Sequence, residues 1–229
     1  MPKSDSEGIR VVTIDGPERN LLNPEVMAEV GRQLHDANDD PDVAGIIVTG
    51  AGGDFCGGLD LASIRAGGDP IEFAGSLAAL LKIFPRLEKP IVAAVNGDAV
   101  ASGSAIVAAC DYAVSVPAAL IGSYEVAVGV WPMVAQVPLI HRLGARRAME
   151  NIGSGDPFTA QRSLEVGLVN AIAEPDVLLE AASAWLRRAM RAGAASKGRA
   201  SFYELAQLPY DDALDAALEK FAAQFTPAS

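Results

Sequence analysis

Three short segments hold the residues whose types and spacing could do chemistry. The first is Cys56-Gly57-Gly58-Leu59, which follows the apolar run 45–49 and the loop 50–54. The second is Ala101-Ser102-Gly103-Ser104, a few residues after the apolar run Ile91–Val95. Small residues where a strand bends into a helix leave backbone N–H groups without helical partners. Such donors suit an oxyanion, because they are already in place when charge develops. Glycine bends also serve merely to turn a chain, so neither segment decides the matter alone. The third is Glu125, in Gly122-Ser123-Tyr124-Glu125-Val126, a lone carboxylate with apolar residues at 119–121 and 126–130. In a dry pocket such a group shuttles protons, whereas on an exposed loop it is only solvated. The local sequence leaves both readings open.

Other chemistries find little to stand on. His35 and His141 are far apart and neither has a cysteine or carboxylate cluster beside it, so no metal site is expected. There is no G-x-S-x-G elbow, no Walker A loop and no G-x-G-x-x-G after a strand. The net charge is −11, which disfavours a nucleic-acid partner but still allows a few local cations to hold an anionic ligand. Arg187, Arg188, Arg191, Lys197 and Arg199 read as a solvated helix face. Cys56 and Cys110 suggest neither a metal site nor a disulfide framework. Residues 1–8 read as a polar, flexible leader without a signal peptide, and no apolar run is long enough to span a membrane. A soluble cytoplasmic protein is expected.

The elements that must position these residues follow from pattern. The run 9–14 predicts a first strand. Asn23 as cap, Pro24 at the first helical position and Glu25 in the first turn open a helix, with Val26, Met27, Val30, Leu34 and Ala37 at helical spacing. Buried strands are predicted at 45–49, Ile91–Val95 and 112–116. Helices are predicted at 71–87, Ser102–Ala109, 132–143, 145–151 and from Thr159 to Val166, with a last strand at 168–173. Beyond residue 176 only helices are read. Trp185 lies on an apolar stripe with Val177, Leu178, Ala181 and Ala189, and Leu214, Leu218, Phe221 and Phe225 form another.

The segments in their order resemble the crotonase family of enoyl-CoA hydratases and isomerases. Residues 47–61, which contain both Cys56-Gly57-Gly58-Leu59 and Asp60-Leu61, resemble its first signature. Lys89-Pro90-Ile91-Val92-Ala93-Ala94-Val95-Asn96-Gly97-Asp98-Ala99, continued by Cys110-Asp111-Tyr112, is similar to its second. Ile121-Gly122-Ser123-Tyr124-Glu125 with Gly129-Val130-Trp131-Pro132 resembles the third. Thr159-Ala160-Gln161 through Gly167-Leu168-Val169 and Leu218-Glu219-Lys220-Phe221 resemble later elements.

The resemblance implies an α/β fold: a crotonase-like spiral of ββα units over 1–175 carrying the acyl-CoA site, then a C-terminal helical trimerisation region over 176–229. It implies a homotrimer, or a dimer of trimers, and an acyl-CoA thioester as partner. No cofactor is implied beyond the CoA carried by the substrate. By position, the backbone N–H groups of Leu59 and Ser102 would form the oxyanion hole and Glu125 would be the catalytic acid/base. Gly57, Gly58, Asp60, Ala62, Trp131, Met133 and Lys220 would contact substrate, Lys220 from this subunit or a neighbour toward the CoA phosphates. Family hydratases use two glutamates, and this chain has Ala105 where the other would stand. One carboxylate can still move a proton from C2 to C4, so the resemblance favours a Δ3,Δ2-enoyl-CoA isomerase over a hydratase or another lyase or thioesterase of the family. The chain also has Ala62 where many members place a lysine, Ala101 and Ser104 where glycines are common, and a bulkier Met133-Val134-Ala135-Gln136 after Pro132. These departures keep a non-catalytic acyl-CoA binder in view. A serine peptidase using Ser102 or Ser104 would need His141 brought in over a long path.

Overall fold

A computed structural model describes residues 8–223 and 225 of the chain. The expected leader, apart from Gly8, lies outside the described residues. A parallel sheet forms the centre, with strand order β1-β2-β3-β5-β8. Its strands are β1 (Ile9–Ile14), β2 (Gly45–Gly50), β3 (Ile91–Val95), β5 (Tyr112–Ser115) and β8 (Ala171–Ile172). β2 and β3 are almost wholly buried, as a parallel sheet covered on both faces requires. A second, smaller sheet joins β4 (Ala99–Val100), β6 (Leu120–Gly122) and β7 (Phe158–Thr159); β4 and β6 run parallel and β7 antiparallel.

The chain passes repeatedly from the large sheet to the small one and then into a helix. β3 leads through β4 into α5 (Ser102–Ala109), and β5 leads through β6 into α6 (Gln136–Ile152). β2 leads through an isolated bridge at Cys56 into α3 (Leu61–Arg65) and α4 (Pro70–Ile83). This is the expected spiral of ββα units. Between β1 and β2 lie an irregular turn, α1 (Pro17–Asn20), and α2 (Pro24–Asp39). α2 begins as its sequence dictates: Asn23 Oδ1 accepts the Val26 N–H at 2.8 Å, and Met27, Val30, Leu34 and Ala37 are buried.

Several boundaries differ from the periodicity. The helix expected over 71–87 stops at Ile83, because Pro85 cannot continue the hydrogen-bond ladder, and a 3₁₀ turn covers Phe84–Arg86. The helix expected from 132 begins at Gln136, and Gly144 kinks it with φ 73° and ψ 158°. β8 keeps two of the six residues expected at 168–173. α7 (Ala160–Val166) is capped by Thr159 Oγ1, which accepts the Arg162 N–H at 3.1 Å, as predicted.

The three C-terminal helices behave differently from one another. α8 (Leu178–Ala189) lies against β2, β3 and β5, buries Leu178, Ala182 and Leu186, and stacks Trp185 on Tyr112 with ring centroids 5.1 Å apart. α9 (Ala194–Leu205) corrects the reading of its basic residues: Arg199 is buried, not solvated. Its guanidinium forms a two-pronged pair with Asp111, Nε to Oδ2 at 2.7 Å and Nη2 to Oδ1 at 2.8 Å. Nη1 donates to the carbonyls of Phe84 and Leu87. Tyr203 OH donates to Asp111 Oδ1 at 2.6 Å, and burial followed by the Asp111 charge pushes the phenol up to about 12. α10 (Tyr210–Ala223) touches α9 and leaves its apolar stripe uncovered: Leu218 is 70% exposed and Phe221 59%.

The Arg199–Asp111 pair yields a stability prediction. Removing one partner of a buried, fully bonded pair strands the other charge, at a cost of about 3–5 kcal/mol. Arg199→Met should lower the unfolding free energy in urea by that amount. A loss below about 1 kcal/mol would mean that α9 is held by something else.

Candidate active site

A parallel alignment of two short segments brings the two bends together. Cys56 forms a β-bridge with Ala99. Val100 N–H donates to Cys56 O, and the Phe55 and Cys56 N–H groups both donate to Asp98 O, each at 3.0 Å. Three residues beyond that bridge on each strand stand Leu59 and Ser102. The bends touch closely. Gly58 has φ +99°, and a Cβ on it would lie 2.7 Å from the Ala101 Cβ and 3.6 Å from the Ser102 nitrogen. A Cβ on Gly103 would lie 2.4 Å from the Cys56 carbonyl oxygen. Only glycine fits at either place.

Both candidate donors are left unused. Leu22 bridges to Leu59 by donating to Gly58 O and accepting from Asp60 N–H, so the amide of Leu59 itself faces the other way. Ser102 opens α5, where the first N–H groups have no helical carbonyl. Among the described residues neither amide has an acceptor. Both residues line one cleft together with Glu125. Ala101, immediately before Ser102, sits at φ 52° and ψ −124°. That conformation costs a non-glycine residue on the order of 1–3 kcal/mol. It is held by the Ala101 N–H donating to Gly122 O at 2.9 Å and by Ser104 Oγ donating to Ala101 O at 2.7 Å.

Glu125 begins a 3₁₀ turn, Glu125–Val128, just after β6. It is half-buried. Its Oε2 accepts from Ser123 Oγ at 2.5 Å and from Tyr124 N–H at 3.0 Å. Ser123 is itself buried and clamped by Asn151 of α6. Ser123 N–H donates to Asn151 Oδ1 at 2.7 Å, and Asn151 Nδ2 donates to Ser123 O at 2.8 Å. The same Nδ2 reaches Asp156 O at 2.8 Å. The pattern of the sequence did not reveal Ser123 or Asn151 as site residues. The only available signal was a small polar residue two places before the carboxylate.

The remaining walls are apolar. Leu61, Ala74 and Leu77 line the cleft, as do residues 130–135, which include Trp131 and Met133. Trp131 Nε1 donates to Gln136 Oε1 at 2.9 Å, which fixes the indole near the mouth. The cleft holds about 190 Å³, and its side-chain polar groups among the described residues are those of Ser102, Tyr124, Glu125 and the Trp131 indole N–H, the last already bonded to Gln136. Among the described residues no second carboxylate lines it. Ala105 is fully buried within α5.

The other expected contacts fall elsewhere in the single chain. Gly57 and Gly58 shape the first bend without lining the cleft. Asp60 caps α3: it accepts from Ser63 N at 3.0 Å and from Ser63 Oγ at 2.5 Å, and these bonds hold its carboxyl below the usual range. Ala62 is exposed on α3 and Lys220 pairs with Glu204 at 2.8 Å; neither lines the cleft. Ser104 is buried in its own turn and His141 is exposed on α6, so no serine–histidine pair is assembled. Burial pushes the Cys56 thiol up to about 12, which leaves it inert as a nucleophile. Among the described residues no three potential ligands cluster for a metal, and no helix is long and apolar enough to cross a membrane.

Comparison with known proteins gives a consistent result. The profile of the enoyl-CoA hydratase/isomerase family matches residues 4–224. A Thermus thermophilus protein provisionally named an enoyl-CoA hydratase is 36% identical over 183 residues, 77% of this chain and 72% of that one. A peroxisomal fatty acid β-oxidation multifunctional protein of Oryza sativa is 31% identical over 185 residues; the match covers 79% of this chain and 26% of that longer protein. Among solved structures, an enoyl-CoA hydratase of Mycobacterium smegmatis aligns with a TM-score of 0.91 at 25% identity, over 100% of this chain and 91% of the other. Paired bends, a lone carboxylate and a profile match over nearly the full length converge: this chain belongs to the enoyl-CoA hydratase/isomerase family.

Proposed function

We propose that the protein is an acyl-CoA enzyme that isomerises a 3-enoyl-CoA to the 2-enoyl-CoA through a thioester enolate. The observation that carries this reading is the single carboxylate facing a cleft that also holds two unpaired main-chain N–H groups. The thioester oxygen lies between the Leu59 and Ser102 amides. Those donors stabilise the negative charge that appears on it when C2 loses a proton. Glu125 takes that proton and returns it at C4. A cleft of about 190 Å³ accepts the reacting acyl end and leaves most of the CoA outside, past Trp131 and Met133. Because the thioester oxygen carries the charge, the reaction needs no cofactor or metal.

Hydration is the second reading, favoured by the names of the relatives. It requires a second group to deliver water or a proton, and Tyr124 is the other ionisable residue lining the cleft. We place the protein in the cytoplasm. We also assign the exposed stripe of α10 to a homotrimer contact, with Lys220 of this or a neighbouring subunit near the CoA phosphates.

Two tests follow. General acid/base groups contribute about 10²–10⁴ in rate, so Glu125→Gln should slow isomerisation of 3-hexenoyl-CoA at least about 100-fold while the protein still binds the ester. Isomerisation at the wild-type rate would remove Glu125 from the reaction, and wild-type turnover restricted to water addition would favour the hydratase reading. Gly103→Ala tests the pairing of the bends. The new methyl must displace the Cys56 carbonyl and spread the two donors apart. Losing one oxyanion donor costs about 10²–10³ in kcat. Crystals or thermal melts should show a folded protein with kcat reduced on that scale, and unaltered kcat would contradict the assignment of the oxyanion hole.

A further inference from the structure

The hydrogen bonds around Glu125 are unequal on its two oxygens, and that asymmetry has a consequence for the reaction. Oε2 receives two donors, the Ser123 hydroxyl at 2.5 Å and the Tyr124 amide at 3.0 Å. Oε1 receives none among the described residues, while the residue lines the cleft. Ser123 cannot drift, because Asn151 holds both its N–H and its carbonyl, at 2.7 and 2.8 Å. Asn151 in turn cannot back away freely. It sits in α6, is bonded to Asp156 O, and packs where a Cβ on Gly122 would come within 2.6 Å of its Oδ1.

We propose that Ser123, clamped by Asn151, is a positioning residue that anchors Glu125 by Oε2 and makes Oε1 the one oxygen that carries the proton. The inference rests on the enolate reading above. Oε1 takes the proton from C2, and the C2–H electrons pass into the enolate on the thioester oxygen. As the enolate collapses, C2 and C3 become doubly bonded and the former C3=C4 electrons take the proton back from Oε1 at C4. A carboxylate pinned at one oxygen cannot rotate its protonated oxygen away between these events. The proton therefore stays on one face of the acyl chain and has few chances to exchange. A serine bonded to the charged carboxylate matters to the transition state and not to holding CoA, so its loss acts on kcat and leaves KM alone.

The experiment compares wild type, Ser123→Ala and Glu125→Gln on 3-hexenoyl-CoA labelled with deuterium at C2, in ordinary water. It records kcat, KM, thermal midpoint and the fraction of label recovered at C4. Ser123→Ala removes one oxygen atom from a buried site and is expected to fold. The expected result is a fall in kcat of about 10–100-fold at unchanged KM, with less label transferred per turnover than in wild type. Washout of deuterium from C2-labelled hexanoyl-CoA needs proton removal and then exchange from Oε1, without any double-bond shift, so relative to kcat it should rise in Ser123→Ala. If Ser123→Ala keeps wild-type kcat, label transfer and washout while Glu125→Gln is inactive, the positioning role is wrong and the enolate reading stands. If Glu125→Gln is as active as wild type, the enolate reading itself falls, and this inference with it.

Discussion

The structure depends on a short parallel pairing that lies outside the main sheet. Residues 56 and 99 are in register, and everything reactive is counted from there. The pairing sits past the carboxyl ends of β2 and β3, where open parallel sheets form their ligand crevices. It is held by uncharged groups. Asn96 accepts from Gly50 N at 3.0 Å and Thr49 Oγ1 at 3.1 Å, and donates to the carbonyls of Gly50 and Gly52. Asn20 donates to Ala51 O at 2.9 Å and Asp54 O at 2.8 Å. Arg19 adds ion pairs to Asp54 and Asp98 but is 45% exposed, so those pairs contribute little. The part-buried amide hydrogen bonds of Asn20 and Asn96, each worth about 0.5–1.5 kcal/mol, do the positioning.

Around this pairing the chain places its costs where the chemistry is. Ala101 keeps a positive φ that a glycine would accept without strain, and two hydrogen bonds oppose its relaxation. The amides of Leu59 and Ser102 stay unpaired beside apolar walls. Either feature alone would be a defect in a packed domain, because unsatisfied donors and strained backbone are removed unless something depends on them. Together, beside the one carboxylate that lines the cleft among the described residues, they are what the enolate reading proposed above requires: two free donors that a ligand oxygen would satisfy. The cleft walls are largely apolar, which would strengthen those donors relative to water once a ligand covers them.

The C-terminal helices divide by their physics. α8 is an integral cover of the sheet, with Leu186 pressed so closely that a side chain at Gly45 would lie 3.1 Å from it. α9 is attached by a guanidinium with four acceptors, all beneath the surface. α10 leaves much of its apolar face exposed, with Leu214, Leu218 and Phe221 all more than half accessible. The three helices thus pass from core, to tethered, to largely exposed within fifty residues.

The sequence by itself determined the elements whose causes are local. Asn23-Pro24 starts α2 because a cap and a proline act within one turn, and Thr159 does the same for α7. Ile91–Val95 is a buried strand because a short apolar run bounded by Lys89-Pro90 and Asn96-Gly97 has no other economical place. Leu59, Ser102 and Glu125 were legible as a set through resemblance to a family, since no local pattern joins residues so far apart. Only the tertiary structure decided the rest. β4, β6 and β7 are too short for any periodicity, and each exists because its partner is there. Arg199 reads as one more surface cation until Asp111 and two carbonyls close around it. Ser123 and Asn151 are ordinary polar residues 28 positions apart, and Asn151 reaches Glu125 only through Ser123, once the fold brings the end of α6 beside the residue after β6. Caps and apolar runs are fixed by neighbours in the chain, whereas a carboxylate with one bound and one free oxygen is fixed by neighbours in space.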